Sequence, residues 1–199
     1  MSHEHPSTPG DYDANSERLS TPHPRIYVAS LADYNAGRLH GVWLDAARDP
    51  AELHAGIQAM LAASPEPGAE EYAIHDSDGF GDARLAEFDS LELVSRIAHG
   101  IAAHGLAFAA WADIQAGDET ALDRFEEAYL GHYDSEQAYA EQLIDDLGYQ
   151  QLLDHSVPAS LRPYARIDTE ALAQAMQLDG DLHFYPADDG GVWIFDGRV

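Results

Sequence analysis

Apolar positions change their spacing twice along this chain, and the changes divide it. Residues 1–24 mix Pro, Ser, Thr, Asn, Gly and His without apolar periodicity, which predicts a flexible arm. Patterning begins near Arg25. Residues 26–31 form a short β-type run, Asn35 and Gly37 mark a turn within 33–37, and 39–44 reads as a second strand, so a hairpin is expected. Asp49, Pro50 and Glu52 then stand where an N-cap acid, a first-turn proline and a capping-box partner belong. They predict a helix to about Ala63, with Leu53, Ile57, Met60 and Leu61 as its apolar stripe. Pro65, Pro67 and Gly68 stop it, and 72–75 suggests a third strand beside the hairpin.

From Asp89 to Gly148 the period becomes helical, opened by a possible capping box from Asp89 to Glu92 with Leu93, Ile97 and Ile101 behind it. Four helices are expected, near 90–104, 106–115, 119–130 and 135–147. Mixed character returns afterwards. A proline-bounded turn over 158–163 precedes a helix from Asp168 to about Met176, and 182–185 with 192–195 reads as a terminal hairpin around Asp188, Asp189, Gly190 and Gly191. The fold class expected is α+β, with an arm at 1–24, an N-terminal α+β subdomain at 25–82, a central helical one at 83–131 and a C-terminal α+β one at 132–199.

Charge changes the picture. The 199 residues include 36 acids against 10 Arg and no Lys, a formal charge of -26. With 45% hydrophobic residues and 19 aromatic side chains, the chain is too apolar for a disordered acidic tail, so the charge belongs on folded elements. Such a surface repels nucleic acid and anionic membrane and selects basic partners. No 18-residue apolar run and no signal-peptide pattern is present, and a cytoplasmic protein is expected. With no Cys there are no disulfides, thiolate metal sites or cysteine nucleophiles.

Adaptation to salt would spread acids evenly, and a GC-rich genome would favour Arg over Lys. The acids are not even. Residues 113–146 hold 11 acids and one Arg. These are Asp113, Asp118, Glu119, Asp123, Glu126, Glu127, Asp134, Glu136, Glu141, Asp145 and Asp146, and together they form the candidate binding surface. Leu122, Phe125 and Tyr129 make a stripe expected to bury, and Ala138, Leu143, Ile144 and Leu147 another, which leaves the acids outward. Acids one helical turn apart stand roughly 5 to 6 Å from each other, comparable to successive phosphates of a nucleic-acid strand. Like charges so placed cost a helix about 0.2 to 0.5 kcal/mol per pair, which a selected use would explain. The bland counterpart is an ordinary solvated helix face.

Catalytic and metal chemistry finds little footing. Residues 76–87 place acids at positions 1, 3, 7 and 12 of an EF-hand loop and Gly81 at position 6, but Phe80 at position 5 has no oxygen and a strand precedes it. His99 and His104 are five apart and leave a common helix face, and His3 and His5 lie in the arm. His75 beside Asp76 could form a base and its orienter, but no nucleophile accompanies them. No phosphate-cradling loop, HExxH or nucleophile elbow occurs. No catalytic residue, metal or cofactor is assigned.

Several segments taken together resemble the ArdA antirestriction proteins. They are Ile26-Tyr27-Val28-Ala29, Tyr34-Asn35 with Gly37, Gly41 and Trp43, and Glu71-Tyr72-Ala73-Ile74-His75-Asp76. Phe125-Glu126-Glu127-Ala128-Tyr129 follows, with Gly131, Tyr133, Ser135 and Ala140-Glu141, then Pro158-Ala159-Ser160-Leu161, Tyr164, Asp168, Ala171 and the terminal hairpin. The resemblance implies an acidic DNA mimic acting against type I restriction-modification enzymes, with a DNA-binding methyltransferase core as partner. It further implies an elongated three-part protomer, a homodimer formed through the C-terminal part, and carboxylates tracing bent B-DNA. Residues 1–24 stand outside the likeness, and Ala165-Arg166 reads as a small insertion.

Two other classes fit the same chain. An acidic module could bind another basic DNA-binding or regulatory protein, or a hydrolase could use His75 and Asp76. Only the hydrolase predicts loss of activity from one substitution.

Overall fold

The computed structural model describes residues 22–116 and 118–199. The arm expected over 1–24 lies, as far as residue 21, outside the described residues. Pro24 is fully buried, and its carbonyl accepts from Ala46 N at 2.9 Å, so the packed chain begins no later than Pro24.

The N-terminal sheet comprises β1 (Arg25–Ser30), β2 (Gly41–Asp45) and β3 (Tyr72–Asp78) in the order β2-β1-β3, antiparallel throughout. Ile26 and Val28 alternate inward on β1, as a half-buried strand requires. The expected turn at 33–37 is instead a short helix, α1 (Leu31–Asn35), started by Ser30, whose hydroxyl accepts from Asp33 N at 3.3 Å. Asp33 is fully buried. Burial acts to raise its carboxyl pKa, but the Ser64 and Ser30 hydroxyls and the nearby His40 and Arg38 outweigh that and hold it below 3.8. The expected helix is present as α2 (Pro50–Ala62), with Asp49 Oδ1 accepting from Ala51 N at 2.8 Å and the stripe Leu53, Ile57, Met60 and Leu61 buried.

In α3 (Leu91–His104) the cap is Ser90, whose hydroxyl accepts from Leu93 N at 3.1 Å. Asp89 takes Ala86 N instead, so the cap stands one residue beyond the expected Asp89 and, with Leu93 at the third helical position, no capping box closes. Gly105 at φ +71 turns the chain directly into α4 (Leu106–Ile114). A side chain on Gly100 would meet the Phe108 ring at 2.3 Å, so the two helices approach this closely only because Gly stands there. Most of α4 is buried, and Trp111 donates to Ala121 O at 3.0 Å from a position with no solvent exposure.

The helix expected over 119–130 does not form. A 3-10 turn (Glu119–Arg124) leads into a single α-turn, α5 (Phe125–Ala128), and the chain then extends as β4 (Tyr129–Tyr133). Phe125 and Tyr129 bury against Phe195 at ring-centroid distances of 6.2 and 5.6 Å. The open edge of a distant strand recruits 129–133, which a local helical pattern cannot register.

That strand is β6 (Val192–Asp196), the centre of a second antiparallel sheet ordered β4-β6-β5, where β5 is Leu182–Pro186. The terminal hairpin is thus present, with a third strand added from 129–133. Between β4 and β5 lie α6 (Glu136–Asp146), α7 (Tyr149–Ser156) and α8 (Thr169–Leu178). On α6 Ala140 and Ile144 bury, while Leu147 beyond its end is 50% exposed, against expectation. Helix α7 lies outside the sequence expectation: its apolar stripe, Tyr149, Leu152 and Leu153, spans only two turns, and the helix buries no residue. The protein is α+β: among the described residues eight α-helices accompany the two small sheets. Phe195 belongs to the same apolar cluster as Ile26, Trp111 and Phe125, and β4 straddles position 131/132.

Candidate functional site

Of the eleven acids in 113–146, nine are exposed, and only Asp113 and Glu136 are half-buried. They fall into separate neighbourhoods set by different elements.

Asp113, on the last turn of α4, is turned toward the protein. Tyr185 on β5 donates its hydroxyl to Oδ2 at 2.9 Å, and Arg84 Nε stands 3.7 Å from Oδ1. Burial and the Asp113 carboxylate push the Tyr185 hydroxyl far above its ordinary pKa, so it stays a donor. Asp118 begins the following 3-10 turn and accepts from Thr120 N at 3.0 Å and Thr120 Oγ1 at 2.6 Å. The hydroxyl contact, with the backbone amides behind it, holds Asp118 below the usual carboxylate range. With Glu119, Asp89 and Arg84 these two acids rim a cleft of about 490 Å³. Leu93 and the largely buried Ile97 and Leu122 line it as well.

Asp123 and Glu126 rim a second groove over Phe108 and Phe125. Here side chains from α3 face the acids: the Arg96 guanidinium reaches Asp123 at 2.6 Å, and the His104 ring lies 3.9 Å from Glu126. Glu127 is exposed beside them.

Asp134 and Glu136 share a third groove with Glu170 of α8. Ser135 between them caps α6 by accepting from Ala138 N at 3.1 Å. Further along α6, Gln137 donates its amide to Glu141 at 2.9 Å, and Asp145 and Asp146 point into water. Among the described residues none of the α6 acids has a cationic group within 4 Å.

Asp89 and Glu170 join these neighbourhoods, although neither belongs to the binding surface expected from the sequence. Each lies next to a helix start, where an acid reads simply as favouring the helix N-terminus. The remaining chemical candidates dissolve. Asp76 and Asp78 are strand residues paired in register with Tyr27 and Arg25, and Asp78 forms an ion pair with Arg25, so no calcium loop exists at 76–87. His75 packs edge-on against Tyr34 at 4.9 Å, and Asp76 accepts from Ser77 N at 2.8 Å instead of orienting it. Among the described residues no three His, Asp or Glu side chains converge to hold a metal ion, and no helix is long and apolar enough to cross a membrane.

The arrangement therefore offers mostly exposed carboxylates, seven of the eleven at the rims of three grooves. A family model described as Antirestriction protein (ArdA) matches residues 26–189. No curated protein matches the chain.

Proposed function

The chain belongs to the ArdA antirestriction family, and from that premise we propose that it blocks type I restriction-modification enzymes by occupying their DNA-binding methyltransferase core as a mimic of B-DNA. The observation that carries this reading is the exposure of nine acids within 113–146, on a chain of charge -26. A restriction enzyme holds DNA largely through Arg and Lys on phosphates, with release of condensed counterions. Carboxylates fixed on a folded scaffold engage the same cations while presenting neither a scissile bond nor a base to methylate. Inhibition is then competitive, independent of target sequence and non-catalytic, in a cytoplasmic setting and without a cofactor.

The protomer would act as a homodimer joined through its C-terminal part. Supporting this, Leu147, Leu152, Leu161, Tyr164 and Leu178 are exposed there, with Leu178 79% and Tyr164 83% accessible, a cost that a covering partner copy removes.

The deciding experiment titrates the protein into a type I enzyme cleaving unmodified DNA, with an acidic control protein of equal charge. Stoichiometric inhibition by this chain alone, weakening steeply with salt, is expected. Equal inhibition by the control, or none, would overturn shaped mimicry and leave a module for some other basic protein. Light scattering on the same sample reads the dimer, and a monomer at working concentration would refute it.

A further inference from the structure

Each sheet leaves two strands at its edges, and three of these edges are guarded. On β3, Ile74 N donates outward to Glu87 O at 2.9 Å. The register of β4 shifts between Tyr129 and Gly131, and β5 ends in Pro186, which has no N–H to offer. Among the described residues β2 has no such device. Ser30 N donates to His40 O and Ala46 N to Pro24 O, each at 2.9 Å, so the alternate residues Gly41, Trp43 and Asp45 turn their N–H and C=O away from β1. No other segment of the described residues takes those groups. Trp43 stands at the middle of this edge and is 41% exposed. Its ring is held by Tyr27 at a centroid distance of 5.5 Å and by the Arg25 guanidinium at 5.2 Å, an anchor already in place before any contact.

Charge decides what can come there. Residues 22–62 hold four acids and three Arg, a balance of -1 in a chain of -26, and Arg25 and Arg48 beside β2 pair with Asp78 and Asp45. A basic partner, drawn to the acids elsewhere, gains little from charge at this edge. A second copy, repelled by the acidic faces, meets almost no net charge here, and salt screens the exposed acids beyond about 8 Å. We propose that β2 is a pairing edge for a second copy of this chain, whose own β2 runs antiparallel to it about a two-fold axis at Trp43. Trp43 then exchanges hydrogen bonds with Trp43 of the other copy, and Gly41 with Asp45. The two indole rings lie side by side on one face of a sheet continuous through both copies. This pairing needs nothing from the antirestriction reading and uses none of the C-terminal residues, so a protomer that makes both contacts joins copies in series.

Residue-resolved amide exchange on the full-length protein, from micromolar to millimolar concentration at fixed salt, reads this edge directly. The Val42 and Leu44 amides, which face β1, should be protected throughout. Those of Gly41, Trp43 and Asp45 should gain protection as concentration rises, an alternation that pairing through the C-terminal part cannot produce. Trp43→Lys sets a charge at the centre of the edge and should raise the dissociation constant of this step about tenfold or more. Leu39→Lys adds the same charge at an exposed residue outside the strand and should leave the step largely intact. Exchange at 41, 43 and 45 that ignores concentration, or an equal loss in both variants, overturns the pairing. Protection that appears only when a type I enzyme is added overturns the second copy as occupant and gives the edge to that enzyme. The alternation in the unsubstituted protein decides the matter even if Trp43→Lys misfolds. Inhibition of the enzyme, measured separately, bears on the antirestriction reading alone.

Discussion

The acid-rich segments 113–128 and 134–146 carry similar charge on unlike foundations. The first rests on Trp111, Leu122 and Phe125 in the main apolar cluster, and two of its acids face Arg84 and Arg96. The second buries only Ala140 and Ile144 on α6, and its acids have no cationic group within 4 Å among the described residues. Burial fixes the first set in position, whereas the second keeps its full charge at the expense of support. Shape and field strength are thus concentrated in different places: on the proposed mimic reading, a partner would be drawn over long range most strongly by α6 and registered most closely along 113–128.

The largest effect separating the two comes from removing the foundation of the first. Phe125 is 4% exposed and contacts Phe108 and Tyr129 at ring-centroid distances of 5.1 Å, so Phe125→Ala should cost about 3–5 kcal/mol in urea unfolding. A loss below about 1 kcal/mol would mean that the first segment is no better founded than the second.

Next come the charges. Asp123→Asn, Glu126→Gln and Glu127→Gln together should weaken enzyme inhibition roughly tenfold and lower its salt dependence, a loss on the scale of a few weak surface ion pairs. The matching change at Glu141, Asp145 and Asp146 should act mainly on the association rate, and it should slightly stabilise α6 by removing like-charge neighbours, about 0.2 to 0.5 kcal/mol per pair. If stopped-flow traces show the same rate and lifetime changes for both blocks, the division of labour fails.

A third prediction concerns the thin support of α6. Ser135→Ala removes the hydroxyl that accepts from Ala138 N and should lower stability by about 1 kcal/mol, read as a drop in melting temperature. An unchanged melting curve would show that α6 unfolds independently of the measured transition.

The smallest effect is one of pH. Asp118 is held below 3.8, so the stability it confers is complete above that value and is lost as pH falls through its lower folded pKa. Asp118→Asn keeps a capping side chain but cannot titrate, and should flatten the acid limb of the unfolding profile while leaving stability near neutral pH almost unchanged. An acid limb of unaltered slope would contradict the Thr120 contact as the source of the shift.

Much of the architecture was legible along the chain because its signals are local. Pro50 with the Asp49 cap, the stripe of α2, the Gly105 break between α3 and α4, and the terminal hairpin each depend on residues a few positions apart. The candidate surface was legible only as composition. Its grouping was not, because Asp113 meets Tyr185, Asp123 meets Arg96 and Glu136 meets Glu170's groove across gaps of 72, 27 and some thirty residues.

By itself the sequence determined the charge, its concentration in 113–146, the helix starts and the family to which the chain belongs. The tertiary structure alone decided that 129–133 is a strand and that one acid of the eleven is held inward by a tyrosine hydroxyl. The physical reason is the range of the interactions. A helix satisfies its hydrogen bonds within four residues, whereas β4 needed the free edge of β6, and Tyr129 needed Phe195, some sixty residues further on.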